Sequence, residues 1–127
     1  MRILLDTHLL LWWLEASPSL SAQAREMIRD PENTVFVSAV SLWEVWLKQS
    51  LGKLRLPADF TERLAAESFE SLPLTASHTR QVSLLPWCHR DPFDRMLVAQ
   101  AQVEKLVLLT ADEALAAYGA VVRVARS

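Results

Sequence analysis

Short apolar runs alternate with amphipathic stretches along the whole chain. "RILLD" (Arg2–Asp6) opens it as a short, continuous apolar strand of the kind buried on both faces. "TVFVS" (Thr34–Ser38) is rich in β-branched residues and predicts a second strand. "SLPL" (Ser71–Leu74), "LVLLT" (Leu106–Thr110) and "AVVRV" (Ala120–Val124) predict three more, "LVLLT" most clearly. Helical spacing is expected over about Leu9–Glu15, Ser21–Asp30, Ser41–Leu51, Asp59–Ser68, Thr75–Leu85 and Pro92–Lys105, with a short helix after Asp112. Strands and helices in alternation predict an α/β domain built on a parallel sheet with right-handed crossovers. Ligands of such sheets bind at the carboxyl ends of the strands.

Composition narrows this picture. The 127 residues suit one domain spanning 1–127, and 51% hydrophobic against 22% charged suffices for a packed core. A net charge of −2 does not fit a protein that coats nucleic acid by charge alone. Cys88 is the single cysteine, so a disulfide framework within the chain is excluded and a cytoplasmic location is expected. Only Gly52 and Gly119 are glycine, which rules out a glycine-rich phosphate loop or dinucleotide fingerprint. Asp6 and His8 interrupt the apolar N-terminus, and Leu9–Leu14 is too short to span a bilayer, so no membrane association is expected.

Four acids are expected at the carboxyl edge of the sheet. Asp6 ends the first strand and Asp112 follows "LVLLT". Glu44 is expected in the first turn of the helix after strand two. Asp94 heads a helix feeding "LVLLT" and shares a face with Leu97, Val98 and Ala101. Each has a plain structural reading. Asp6 and Asp112 fit N-caps, Ser41 and Glu44 fit a capping box, and Asp94 fits the first turn of a helix capped by Asp91 with Pro92 at N1. The helix faces favour something more. Glu44 shares its face with Val40, Leu47 and Leu51, whereas capping acids ordinarily point to water. Four gathered carboxylates repel one another unless a positive charge lies between them, and Mg²⁺ is a suitable one.

These segments resemble the PIN domains of VapC-type toxin ribonucleases. "LLDTHLLLW", "SAVSLWEVWLK" (Ser38–Lys48), "GKLRLP" (Gly52–Pro57), "HRDPFDRMLVAQA" (His89–Ala101) and "LLTADEAL" (Leu108–Leu115) carry the resemblance in order and spacing. It implies a three-layer sandwich with a central parallel sheet of four to five strands flanked by helices. It also implies a Mg²⁺- or Mn²⁺-dependent endoribonuclease whose metal-binding acids are Asp6, Glu44, Asp94 and Asp112. A cognate antitoxin is the implied partner and RNA the implied substrate.

Around these acids, Thr7, Ser38 and Thr110 have hydroxyls placed to orient a carboxylate or a water, with turn chemistry as the plainer reading. Asp91 reads as a helix cap, with outer-sphere metal contact as its other role. Lys48, Lys53, Arg55, Arg90 and Arg95 are candidate RNA contacts, against solvated surface charge. Trp43 and Trp46 are expected to be core or helix-packing residues, and His8, His78 and His89 lack metal-ligand spacing and receive no role. The unbroken run Leu9–Leu14 predicts an exposed apolar patch for a partner helix or a homodimer. Two other enzyme or signalling classes fit less well. A receiver domain needs an acid ending its third strand, where "SLPL" has none, and a dehalogenase-type phosphatase needs an acid where His8 stands. A catalytically silent module that binds RNA or antitoxin is the remaining alternative.

Overall fold

A computed structural model describes residues 1–126. Five strands form one sheet in the order β3-β2-β1-β4-β5, all parallel. They are β1 (Arg2–Leu5), β2 (Thr34–Ser38), β3 (Glu70–Leu72), β4 (Val107–Thr110) and β5 (Val122–Val124). The connecting helices are α1 (Thr7–Leu14), α2 (Ala22–Arg29), α3 (Ala39–Ser50), α4 (Phe60–Ala65), α5 (Ala76–Ser83) and α6 (Pro92–Glu104), and a 3-10 helix spans Glu113–Tyr118. Every expected element is present, with ends shifted by a few residues.

Side-chain alternation along the central strands divides the core in two. Ile3, Leu5, Val35, Val37 and Leu109 meet Leu9 and Leu10 of α1 and Ala24 and Ile28 of α2. On the opposite face Leu4 and Leu108 meet Leu97, Val98 and Ala101 of α6. The result is helices, sheet, helices. Both faces of β1 are covered, which is why its sequence is a plain apolar run rather than an alternating one. Among the described residues no helix is long and apolar enough to cross a membrane.

One expectation about apolar surface is overturned. Leu9, Leu10 and Leu11 are buried and Trp12, Trp13 and Leu14 pack against the cores, so the N-terminal run is not the exposed patch. Of the two alternatives for Trp43 and Trp46 the structure has helix packing and not core: they meet Phe93 of α6 and Phe60 of α4 while 58% and 43% exposed, with Leu47 and Leu51 exposed on the same helix. α1 packs against α3 and α4 as well as β4, which covers its apolar run, whereas α3 leaves Trp43, Trp46, Leu47 and Leu51 on its outer side.

Behind the carboxyl edge lies a buried polar chain. Ser38 Oγ donates to Gln100 Oε1 at 2.5 Å, and Gln100 Nε2 reaches the carbonyl of Pro73 and His78 Nδ1, both at 3.3 Å. Fully buried Gln100 thus ties β2 to α5 and α6, leaving its own polar atoms satisfied.

Candidate active site

Parallel strands place their carboxyl ends on one edge, and each acid reaches that edge by a different local device. Asp6 caps α1: its Oδ1 accepts from the His8 N–H at 2.6 Å, and its Oδ2 accepts from Thr110 Oγ1 at 2.5 Å. The Thr110 hydroxyl also accepts from the Asp112 N–H at 3.0 Å, so one side chain joins the ends of β1 and β4. Asp112 caps the 3-10 helix, its Oδ1 accepting from the Ala114 N–H. Asp91 caps α6 by accepting from the Asp94 N–H, with Pro92 in the first turn. Asp94 follows in that turn, beside Asp6 and Asp112 on an open cleft of about 330 Å³ that His8 and Trp12 also line.

Glu44 arrives differently from the expectation. Ser38, not Ser41, caps α3, accepting from the Val40 N–H. Ser41 lies inside the helix and its Oγ accepts from Thr7 Oγ1 at 2.9 Å, so there is no capping box and Glu44 belongs to the second turn. Its carboxylate is only 3% exposed, with Val40, Ser41 and Val45 as the buried residues of its helix. Lys48, one turn later, donates to Oε2 at 2.6 Å. That hydrogen bond raises the Lys48 pKa above its ordinary value against the opposing effect of burial, with the charges of Glu44, Asp91 and Asp94 adding to the rise. Among the described residues, Glu44 Oε1 alone is a buried side-chain nitrogen or oxygen with no hydrogen-bond partner.

The supporting residues divide accordingly. Thr110 meets a carboxylate; the hydroxyls of Thr7 and Ser38 are engaged with Ser41 and Gln100 and do not orient an acid. Lys53, Arg55 and Arg90 are exposed and Lys48 is half-buried. Arg95 is a correction. It is 4% exposed, its guanidinium donates to the carbonyls of Pro86, Val82 and Leu85 and to the Tyr118 hydroxyl, and Trp87 covers it at 3.7 Å. A guanidinium so occupied holds the loop before α6 together and is not available to RNA.

His89, given no role from spacing, stands among the acids. Its Nε2 lies 3.1 Å from Asp112 Oδ2 and 3.8 Å from Asp94 Oδ2. One donor atom from each of His89, Asp94 and Asp112 falls within 4.8 Å of the others. Sequence spacing missed it because the 23-residue separation of His89 and Asp112 is closed only by the fold.

The electrostatics are those of an acidic site. Burial pushes the Asp94 carboxyl up to about 7, and the charges of Asp6, Asp91 and Glu44 push the same way, while His89 opposes them. Burial also raises Asp6, against the hydrogen bonds it accepts from Thr110 and His8. One lysine faces several carboxylates, and a buried oxygen is left unpaired. Hard oxygen donors in that state fit a divalent cation. The four expected acids are not brought together equally: Asp94 and Asp112 converge with His89, Asp6 lines the same cleft, and Glu44 is outside that lining, acting on Asp94 through its charge.

Residues 3–121 match the model of the PIN domain. The chain belongs to the PIN domain family. No curated protein matches it significantly by sequence. Solved structures agree in fold with this PIN domain at low identity. A chain of FitAcB from Neisseria gonorrhoeae superposes with a TM-score of 0.68 at 20% identity, covering 94% of this chain and 95% of that one. A chain of VapBC2 from Rickettsia felis, bound to a promoter DNA fragment, gives 0.65 at 16%, covering 88% and 89%. A chain of the toxin–antitoxin system VapBC-5 from Mycobacterium tuberculosis gives 0.62 at 20%, covering 99% and 98%.

Proposed function

We propose that this PIN domain is a Mg²⁺- or Mn²⁺-dependent endoribonuclease, the toxin of a toxin–antitoxin pair. The observation that carries the reading is the carboxylate set: Asp94 raised to about 7 by burial and by Asp6, Asp91 and Glu44, beside a buried, unpartnered Glu44 oxygen. Carboxylates serving only as caps would be hydrated or paired. VapBC-5 is a toxin–antitoxin system in a related fold, and the antitoxin partner is inferred from it.

When bound, the cation supplies an activated water and offsets charge on the phosphoryl oxygens. The chain's own residues prepare the place. Thr110 and the His8 N–H fix both oxygens of Asp6. Lys48 neutralises one oxygen of Glu44 and leaves the other buried without a partner. Asp94, raised to about 7 among its acidic neighbours, would hold the cation in its ionised form together with Asp6, Glu44 and Asp112. In the proposed hydrolysis water would add to phosphorus as the bond to the 3′ oxygen breaks, one water proton ending on that oxygen and the other passing to solvent, so that the products carry a 5′-phosphate and a 3′-hydroxyl. Lys53, Arg55 and Arg90 guide the RNA backbone, and an open cleft suits a single strand or a loop.

The test is incubation of the purified chain with mixed RNAs and Mg²⁺, Mn²⁺ or EDTA, alongside Asp94→Asn. Cleavage is expected with either cation and not with EDTA. The variant is expected to lose more than the roughly 10–100-fold typical of an outer-sphere partner. RNA cleavage equal in wild type and Asp94→Asn under saturating Mg²⁺ would sink the assignment. Absence of cleavage by the wild type under every condition would favour a silent binding module.

A further inference from the structure

We infer that His89 is a positioning residue, which aims Asp112 into the site as a hydrogen-bond donor and is not itself a metal ligand. The inference rests on the proposed metal-binding role of the acids. Proximity alone makes His89 look like a third ligand, since its ring and the carboxylates of Asp94 and Asp112 converge. The other ring nitrogen decides otherwise. Nδ1 accepts from the Asp91 backbone N–H at 3.1 Å. An accepting Nδ1 carries no proton, so the neutral ring has its proton on Nε2, which is then a donor. That N–H points at Asp112 Oδ2 at 3.1 Å. Ligation through Nε2 would require the proton to move to Nδ1, where it would oppose the Asp91 N–H.

The arrangement gives Asp112 what its exposure denies it. Its side chain is 42% exposed, against 17% for Asp94 and 5% for Asp6. Oδ1 is held by the Ala114 N–H and Oδ2 by His89, which fixes the carboxylate while leaving Oδ2 a second lone pair for a cation. The ring is in turn carried by a loop whose ends are anchored, at Pro86 by Arg95 and at Asp91 by the capping bond to Asp94. Such outer-sphere donors orient metal ligands, and their loss costs about 10–100-fold in metal affinity.

The experiment has two arms. Long-range ¹H–¹⁵N spectra of ¹⁵N-histidine-labelled, metal-free protein are expected to show His89 as the Nε2–H tautomer, unchanged on adding Mg²⁺. A proton on Nδ1, before or after Mg²⁺, would overturn the inference. The second arm follows Mn²⁺ binding by electron paramagnetic resonance in the wild type, His89→Ala and His89→Gln. Alanine is expected to weaken binding about 10–100-fold. Glutamine, whose amide can donate to Asp112, should restore most of it. Alanine binding as the wild type does, or glutamine as poorly as alanine, would refute the role of His89. A wild type that binds no Mn²⁺ would overturn the proposed nuclease site and the positioning role with it. Were His89→Ala not to fold, the wild-type tautomer and His89→Gln would still decide the question.

Discussion

Asp94 and Arg95 are neighbours in α6, and the two sides of that helix treat their charges in opposite ways. Arg95 is turned toward the loop before the helix, where three backbone carbonyls and the Tyr118 hydroxyl accept from it and Trp87 stacks on it. Asp94 is turned toward the sheet edge, where its neighbours are Asp6, Asp91 and Glu44 and burial drives its pKa to about 7. A buried charge kept for architecture finds complementary partners. A half-buried charge surrounded by its own sign weakens the fold unless a ligand supplies the missing charge.

The largest effect on stability is expected on the satisfied side. Arg95→Ala leaves carbonyls of the 82–86 segment without their donor and uncovers Trp87, and should cost about 2–4 kcal/mol. Arg95→Lys should recover only part of that, because one ammonium cannot reproduce a planar fork. Urea unfolding of both variants measures it. Stability within a few tenths of a kcal/mol of the wild type would remove the architectural role from Arg95 and reopen it as an RNA contact.

A smaller effect, of opposite sign, is expected across the helix. Folded Asp94 keeps its proton up to about pH 7, whereas the unfolded carboxyl loses it near 3.8. Between those values the folded chain holds a proton that the unfolded chain does not, so raising the pH favours unfolding. In EDTA, wild-type stability should therefore fall relative to Asp94→Asn from about pH 4 to pH 7, by on the order of 2 kcal/mol once the full linkage value of about 4 kcal/mol is halved for the solvent screening of a partly exposed carboxyl. Denaturant midpoints of the two proteins over that range supply the measurement. Parallel curves would mean that Asp94 is not raised.

The sheet and its edge were legible because both depend on short-range pattern. β1 and β4 are apolar runs buried on both faces, and Asp6 and Asp112 follow their ends directly. Glu44 was legible as an inward acid, but its helix start was not. Ser38 and Ser41 are both competent caps in sequence, and the choice depends on Ser41 meeting Thr7 from another helix. Arg95 could not be told from a surface arginine because its partners lie 9 to 23 residues away, across a loop and the 3-10 helix. His89 is similar, for its backbone partner Asp91 is local but its carboxylate partner is not. The exposed tryptophans of α3 show the limit of composition: Trp43 packs edge-on against Phe93 and Trp46 against Phe60 without either being buried.

The claim that the carboxylates are left repelling one another for the sake of a cation is tested most directly by the melting temperatures of wild type and Asp94→Asn at neutral pH, each in EDTA and in saturating Mg²⁺. In EDTA the variant should melt higher, because removing one buried acid relieves the others. With Mg²⁺ the wild type should rise, since a ligand bound only to the folded state stabilises it by about 2.7 kcal/mol at a hundredfold excess over its dissociation constant, and the variant should rise much less. The order of the two proteins therefore reverses on adding the cation. A variant that melts below the wild type in EDTA, or equal Mg²⁺ shifts in both, would contradict the account.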